Sequence, residues 1–254
     1  MNIFCTSLDP EISARNLCDV HQRKMLVETG QMLSTSARAM GEPNGPYDDV
    51  HRSHKCNIWV QESRSNWNWL VSHGMEMHRS YMRRQGRGHK SFIAIMWAAR
   101  QDPPDSVFKT QGLTPFADAV WPPLVARYKT PEEGVDVYRA YYARKEEAWA
   151  LLARAQSLAR VAAGRVCSPG SRPLMSWSSP GFRPDWMPDR VPDWKPSPSA
   201  RGEAESYGSG RRHEMDFSLK KMSPEHRKFF TDLAAQDYED VDLDVAKQLV
   251  KLAS

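Results

Sequence analysis

His21, Lys24, Glu28, Gln31 and Thr35 follow one another at steps of three and four residues. On a helix such steps fall on one narrow arc. The side-chain types are those of a reactive surface. An imidazole titrates near neutrality, an amine can attack a carbon or meet a phosphate, and a carboxylate can take a proton or stabilise positive charge. Asp19, just upstream, offers a second carboxylate. The plain alternative is a solvated helix face, with Lys24 and Glu28 as an i, i+4 ion pair worth about 0.3–0.5 kcal/mol. The arc borders a methionine-rich apolar face (Met25, Leu26, Met32, Leu33, Ala37, Met40), so it can line a groove between helices.

Two other groups carry chemistry. Cys18, His21, His51, His54 and Cys56 are zinc-type donors at short spacings, although no standard zinc pattern is matched and Cys18 suits a small core position. The primary expectation is no metal and no cofactor. Trp59, Arg64, Trp67, Asn68 and Trp69, followed by Arg79, Arg83, Arg84 and Arg87, mix aromatic and basic residues as nucleic-acid surfaces do. For the tryptophans the core is the favoured place. The turn Gly86-Arg87-Gly88-His89-Lys90 lets backbone N–H groups and cations approach a phosphate together, without the spacing of a Walker loop. On this reading Arg64, Asn68, Arg83, Arg84, Arg87, His89 and Lys90 bind nucleic acid, and Trp59 and Trp69 are the candidates to stack on a base. A dinucleotide-binding glycine fingerprint, a G-x-S-x-G elbow, an H-E-x-x-H pair and the zinc-deaminase pattern are all missing from the sequence.

The elements that must position these residues are helices. Residues 2–5 form a short β-prone strand or buried arm. Asp9-Pro10-Glu11 has the order of a helix start, and Asp19 can cap a second helix running to Met40. Gly41-Glu42-Pro43-Asn44-Gly45-Pro46 ends that helix. A single helix is expected from Asn57 to Arg84, another from Lys90 to Arg100, and a last one from Thr130-Pro131-Glu132-Glu133, a capping box, towards Ala163. Residues 164–212 turn to Pro, Ser, Gly and Arg and contain a four-residue repeat beginning at Pro184, Pro188 and Pro192. Proline at that spacing excludes a helix or a central strand. Whether the tryptophans of this arm (Trp177, Trp186, Trp194) reach out to a partner or pack back on the core stays open. Residues 213–254 return to short helices starting at Ser223 and near Asp242. The expected architecture is therefore mainly α: a compact helical bundle-like domain over residues 1–163, an extended linker over 164–212 and a short helical segment over 213–254.

The bulk numbers agree with a polar tail on an ordered domain. Of 254 residues, 40% are hydrophobic and 26% charged, and the net charge of +4 suits a polyanionic partner without requiring one. No run approaches the roughly 18 apolar residues of a membrane span, the N-terminus lacks the pattern of a signal peptide, and four scattered cysteines read as reduced thiols. A cytoplasmic protein is expected.

The string Cys18-Asp19-x-His21-x-x-Lys24-Met25-x-x-Glu28-Thr29-x-Gln31-x-Leu33-Ser34-Thr35, preceded by Met1-Asn2-Ile3-Phe4 and Leu8-Asp9-Pro10, resembles the opening of a family of small tailed-phage proteins. Weaker matches follow at Ile58-Trp59-Val60, Ser63-Arg64-x-Asn66-x-x-Trp69-Leu70, Gly88-His89-Lys90 and Tyr138-Arg139-x-Tyr141-Tyr142, so the resemblance covers about residues 1–145. Members are described as similar to pyrimidine-dimer DNA glycosylases, and related proteins attach amines to hypermodified thymine. The resemblance implies an enzyme that binds DNA and excises or modifies a pyrimidine base, flipped out of a duplex or already single-stranded. Glycosylases of that kind use the α-amine of a threonine at position 2. Here Asn2 stands there, and its size opposes removal of Met1. The resemblance then moves the amine role to Lys24 and the carboxylate role to Glu28 or Asp19, with His21 beside them. The alternatives are a non-enzymatic protein binding DNA or a host protein, with residues 213–254 as a possible contact or self-association segment, and a transferase or hydrolase acting on free nucleotides.

Overall fold

The computed structural model describes residues 1–42, 45–119, 129–162, 175, 177 and 183–187, with side chains given only as far as residue 151 in the last long helix. The described chain is mainly α-helical and, among those residues, contains no strand. Among the described residues six α-helices follow in order: α1 (Pro10–Arg15), α2 (Asp19–Ala39), α3 (Lys55–Glu62), α4 (Arg64–Gln85), α5 (Phe92–Ala98) and α6 (Pro131–Ala162). The chain divides into two compact units, Met1–Ala143 with Met175–Pro188, and Arg144–Leu174 with Asp189–Ser254. The C-terminal helices expected after Ser223 lie outside the described residues. No helix among those described is long and apolar enough to cross a membrane.

Local chemistry explains the helix ends. Asp9 accepts N–H bonds from Glu11 (2.8 Å) and Ile12 (3.0 Å) and opens α1 with Pro10 in its first turn. Thr130 accepts the N–H of Glu133 at 3.2 Å, while the Glu133 carboxylate reaches back to the N–H of Lys129 at 2.7 Å. The Thr130 half of the box expected at the start of α6 forms, while the carboxylate takes the N–H one residue before the cap. Gly86 closes α4 with φ +66, a left-handed conformation that a side chain would oppose.

Two expectations need correction. The long helix drawn from Asn57 to Arg84 is two helices. Ser63 is extended, forms a lone parallel bridge with Thr110 and caps α4 by accepting the N–H of Asn66 at 3.1 Å. Backbone bonding to the 110–112 loop outweighs one more helical turn there: the N–H groups of Arg64 and Ser65 donate to Thr110 and Gln111. Asp19 does not cap α2 either. Cys18 occupies that position without a side-chain bond, and Asp19 turns to Arg84 instead.

In the first unit α2, α4 and α5 cross at glycines. A Cβ on Gly74 of α4 would stand 2.9 Å from the Thr29 methyl and 3.1 Å from Ile95; one on Gly30 of α2 would stand 2.9 Å from Tyr47 and 3.1 Å from Ala94. Around this crossing Leu26, Leu33, Trp67, Leu70, Met77 and Ile95 are essentially fully buried, which accounts for the apolar stripes read on α2 and α4.

The N-terminal segment is a buried arm. Ile3, Phe4 and Cys5 are no more than 5% exposed. Phe4 adopts φ +53, rare for a bulky side chain, and its carbonyl accepts from the Ser13 hydroxyl at 3.3 Å. Arg139 of α6 donates to the Thr6 carbonyl at 2.9 Å. The part of the Trp-rich arm that is described packs back onto this unit: Trp177 is 7% exposed and donates its indole N–H to the Asn16 carbonyl at 3.1 Å. Arg139 lies over the Trp186 ring at 5.5 Å.

Candidate functional site

The polar stripe forms on α2 as its spacing requires, but its members have different surroundings. His21 is 1% exposed. Phe4 stacks on its ring at 4.4 Å with an interplanar angle of 16°. Its Nδ1 lies 2.9 Å from the hydroxyl of Tyr142, which also accepts the N–H of Cys18 at 2.7 Å. The Tyr142 hydroxyl therefore joins the Cys18 backbone to the His21 ring through one oxygen. Thr35 is also buried and accepts the N–H of Val50 at 3.1 Å. Gln31 is half-buried.

Lys24 and Glu28 remain at the surface edge. The Lys24 amine stands 4.0 Å from Glu28 Oε1, with side-chain exposures of 44% and 13%. Glu28 Oε2 accepts the backbone N–H of Asn2 at 2.8 Å. Asn2 in turn is fixed by its own side chain, which donates to the Ala119 carbonyl at 3.0 Å and accepts from Ile3 and Phe4. The arm held over His21 thus orients the carboxylate of Glu28. Sequence reasoning placed Lys24 and Glu28 together but had no signal for Asn2 as the group that holds Glu28. Asp19 stands apart from them, bonded to Arg84 at 2.8 Å.

The zinc alternative does not assemble: among the described residues no three His, Cys, Asp or Glu side chains come together around a metal position. His21 is bonded to Tyr142, His54 caps α3 by accepting the N–H of Cys56 at 3.2 Å, and His51 is exposed. Cys18 and Cys56 are fully buried, and burial pushes their thiols up to about 11 and about 12.

The nucleic-acid candidates separate by how their donors are used. Trp59 and Trp69 are core residues, 3% and 5% exposed, edge to face at 5.9 Å and both against Phe116. Their faces are taken, so neither offers a stacking platform to a base. Arg64 bonds Asp102 (2.8 Å), Asp105 (2.5 Å) and the Pro103 carbonyl through three nitrogens and lies over Phe108. Arg84 has a side chain 1% exposed and donates to Asp19 and to the carbonyls of Leu17 and Arg15, clamping the α1–α2 junction to the end of α4. Burial holds its pKa below the ordinary arginine value. Both arginines are therefore structural.

Asn68, Arg83, Arg87 and Lys90 are exposed. His89 receives the Ser91 N–H on Nδ1 at 3.2 Å, and its own N–H donates to His78 at 3.2 Å, which shapes the basic turn. Burial, then the charges of Arg23 and Arg87, lower the His89 pKa. Arg23 of α2, beside Lys24 in sequence, therefore contributes its charge to the same turn.

An open groove of about 260 Å³ lies at the far end of α2 from His21, against Met40, Ile58, Gln61, Glu62 and Lys109. It touches none of the stripe residues.

No protein-family model matches this chain, and no curated protein or solved structure is significantly similar to it. The fold defines a mainly α-helical protein, and the reading of its function rests on the side chains themselves.

Proposed function

We propose that this protein binds DNA and acts on a pyrimidine base, by excision or by modification, with Lys24 and Glu28 as the reacting pair. The observation that carries the reading is the Lys24–Glu28 edge: an accessible amine 4.0 Å from a shielded carboxylate whose other oxygen is held at 2.8 Å by the Asn2 N–H. An amine beside a fixed carboxylate suits attack on the sugar carbon that carries the base: the amine–carbon bond forms as the base–sugar bond breaks, the carboxylate takes the proton shed by the amine, and the base leaves with the bonding electrons and is protonated from solvent. His21 acts through packing. It holds Phe4, and the arm that Phe4 anchors delivers Asn2 to Glu28. The exposed residues Arg83, Arg87 and Lys90 with His89 meet phosphates, and the base must leave the stack to reach the amine. The resemblance of the His21–Thr35 string to the phage glycosylase-like family supports the same chemistry.

The test incubates the purified protein with damaged duplex, with 5-hydroxymethyluracil duplex and with single-stranded DNA, with and without small amine donors, and reads nucleosides by mass spectrometry. A changed or missing pyrimidine that Lys24→Ala and Glu28→Gln abolish, at unchanged DNA affinity, supports the proposal. Unaltered nucleosides on every substrate sink it. A second reading, a DNA-binding protein without chemistry, is favoured by the exposed basic turn; it predicts binding that Arg87→Gln weakens and no altered nucleoside.

A further inference from the structure

Glu76 was not read from the sequence as a functional residue. Its side chain is only 4% exposed, yet it faces three guanidinium groups: Arg83 at 2.6 Å, Arg79 at 3.3 Å and Arg15 at 3.7 Å, with the Ser80 hydroxyl at 3.3 Å. Burial alone would raise this carboxyl; the hydrogen bonds from Arg83 and Arg79 outweigh it and hold the pKa below the ordinary value. One buried anion thus gathers cations from two helices, Arg15 from the end of α1 and Arg79 and Arg83 from successive turns of α4. Glu11, half-exposed, lies 3.6 Å from Arg15 and 3.7 Å from Arg79. Three arginines against two carboxylates leave the cluster net positive.

How the donors are used decides what the cluster is for. Arg64 and Arg84 commit two or three nitrogens each to carbonyls and carboxylates. Arg15, Arg79 and Arg83 each turn a single terminal nitrogen to the acids, and the side chains stay 43%, 50% and 48% exposed. A guanidinium carries five N–H donors, so most of theirs have no hydrogen-bond partner among the described residues. One arginine would balance the charge of Glu76; three are gathered around it. Arg79 and Arg83 hydrogen-bond the Glu76 carboxylate and Arg15 lies 3.7 Å from it, so three half-exposed guanidinium groups gather at one place, a grouping that suits phosphate oxygens.

We infer that Arg15, Arg79 and Arg83, fixed by Glu76, form a binding site for the phosphodiester backbone of duplex DNA. Glu76 is a positioning residue, and the cluster extends the basic turn along α4. The identity of the polyanion rests on the DNA-acting reading above; the cluster itself does not depend on any chemistry at Lys24.

The experiment measures binding of the full-length protein to a fluorescent duplex by anisotropy across 50–200 mM salt, and follows the same samples for altered nucleosides. Arg15→Gln and Arg79→Gln should each weaken binding about threefold and make the slope of log K against log salt shallower by about 0.9. Arg52→Gln, an exposed arginine paired with Asp49 in the loop before α3, should change neither. Glu76→Gln removes a negative charge yet should weaken binding, because the guanidinium groups lose their anchor. A cluster acting by net charge alone would bind more tightly after that change, and that outcome overturns the positioning role. Should Glu76→Gln fail to fold, as its melting curve would show, the two arginine variants decide. Wild-type binding with unchanged slopes in both variants overturns the site and leaves the base-acting proposal standing. Changed slopes without any altered nucleoside keep the site and reject the chemistry. Absence of duplex binding by the wild type overturns the site.

Discussion

The hydroxyl of Tyr142 bridges the Cys18 N–H and His21 Nδ1, at 2.7 and 2.9 Å, and so joins the start of α2 to α6 through one oxygen. Phe4 stacks on a face of the same imidazole and meets the Tyr142 ring edge to face at 5.6 Å. Tyr142→Phe keeps the ring and removes the oxygen. Two buried polar groups then lose their partner, each loss costing about 1–3 kcal/mol. Urea denaturation should show a fall in stability of about 2–4 kcal/mol. A change below about 0.5 kcal/mol would mean that the hydroxyl bonds are replaced by water and do not organise the site.

Glu28 has two roles that one pair of variants separates. Glu28→Gln keeps an oxygen for the Asn2 N–H but removes the charge beside Lys24; Glu28→Ala removes both. Base chemistry should disappear in both. Stability should fall by about 1–2 kcal/mol in the alanine variant and by clearly less in the glutamine variant. Equal loss in the two would show that the Asn2 bond contributes nothing to holding the arm.

The stripe was legible because helical spacing is local: steps of three and four put Lys24 and Glu28 side by side whatever the rest of the chain does. The covering of His21 was not legible, because it depends on Phe4 and Tyr142, 17 residues upstream and 121 downstream in the sequence. The break at Ser63 escaped for the same reason. Its cap is local, but what favours extension there is the distant 110–112 loop. The arginines divided only once their partners were known, since Arg83 and Arg84 are neighbours of equal type, one half-exposed and one buried. A signal for Glu76 did exist. It falls among Leu70, His73, Met77 and Tyr81 on the inner side of α4, and a carboxylate there with arginines three and seven residues on asks for a reason.

Gly74 lets α4 approach α2 and α5. Gly74→Ala adds a helix-favouring methyl, worth up to about 1 kcal/mol by propensity. The new Cβ would meet the Thr29 methyl at 2.9 Å and both Ile95 branches at 3.1 Å. Those contacts belong to side chains fixed in the core, so overpacking costs about 1–3 kcal/mol and should win. A net destabilisation of about 1–2 kcal/mol is expected in thermal or urea melts. A more stable variant would show that the helices part without strain.

His73 supplies a pH dependence separate from the surface groups. It is fully buried, stacks on Trp69 at 4.8 Å with an angle of 15°, and neither ring nitrogen has a hydrogen-bond partner among the described residues. Burial lowers its pKa to about 3. In the unfolded chain a histidine titrates near 6.5. Between those values the unfolded state binds a proton that the folded state refuses. The stability contribution is therefore complete above about pH 6.5 and is lost as pH falls, at about 1 kcal/mol per unit. His54, His78 and His89, whose pKa values burial also lowers, add to the slope in the same direction. His73→Phe keeps the flat ring against Trp69 and removes two unsatisfied polar atoms. It should leave the protein at least as stable at pH 7. Between pH 6 and 5 the fall in unfolding free energy should shrink by about 1 kcal/mol relative to wild type. An unchanged slope over that interval would mean that His73 takes up its proton in the folded state, and that the imidazole has a partner or water beside it after all.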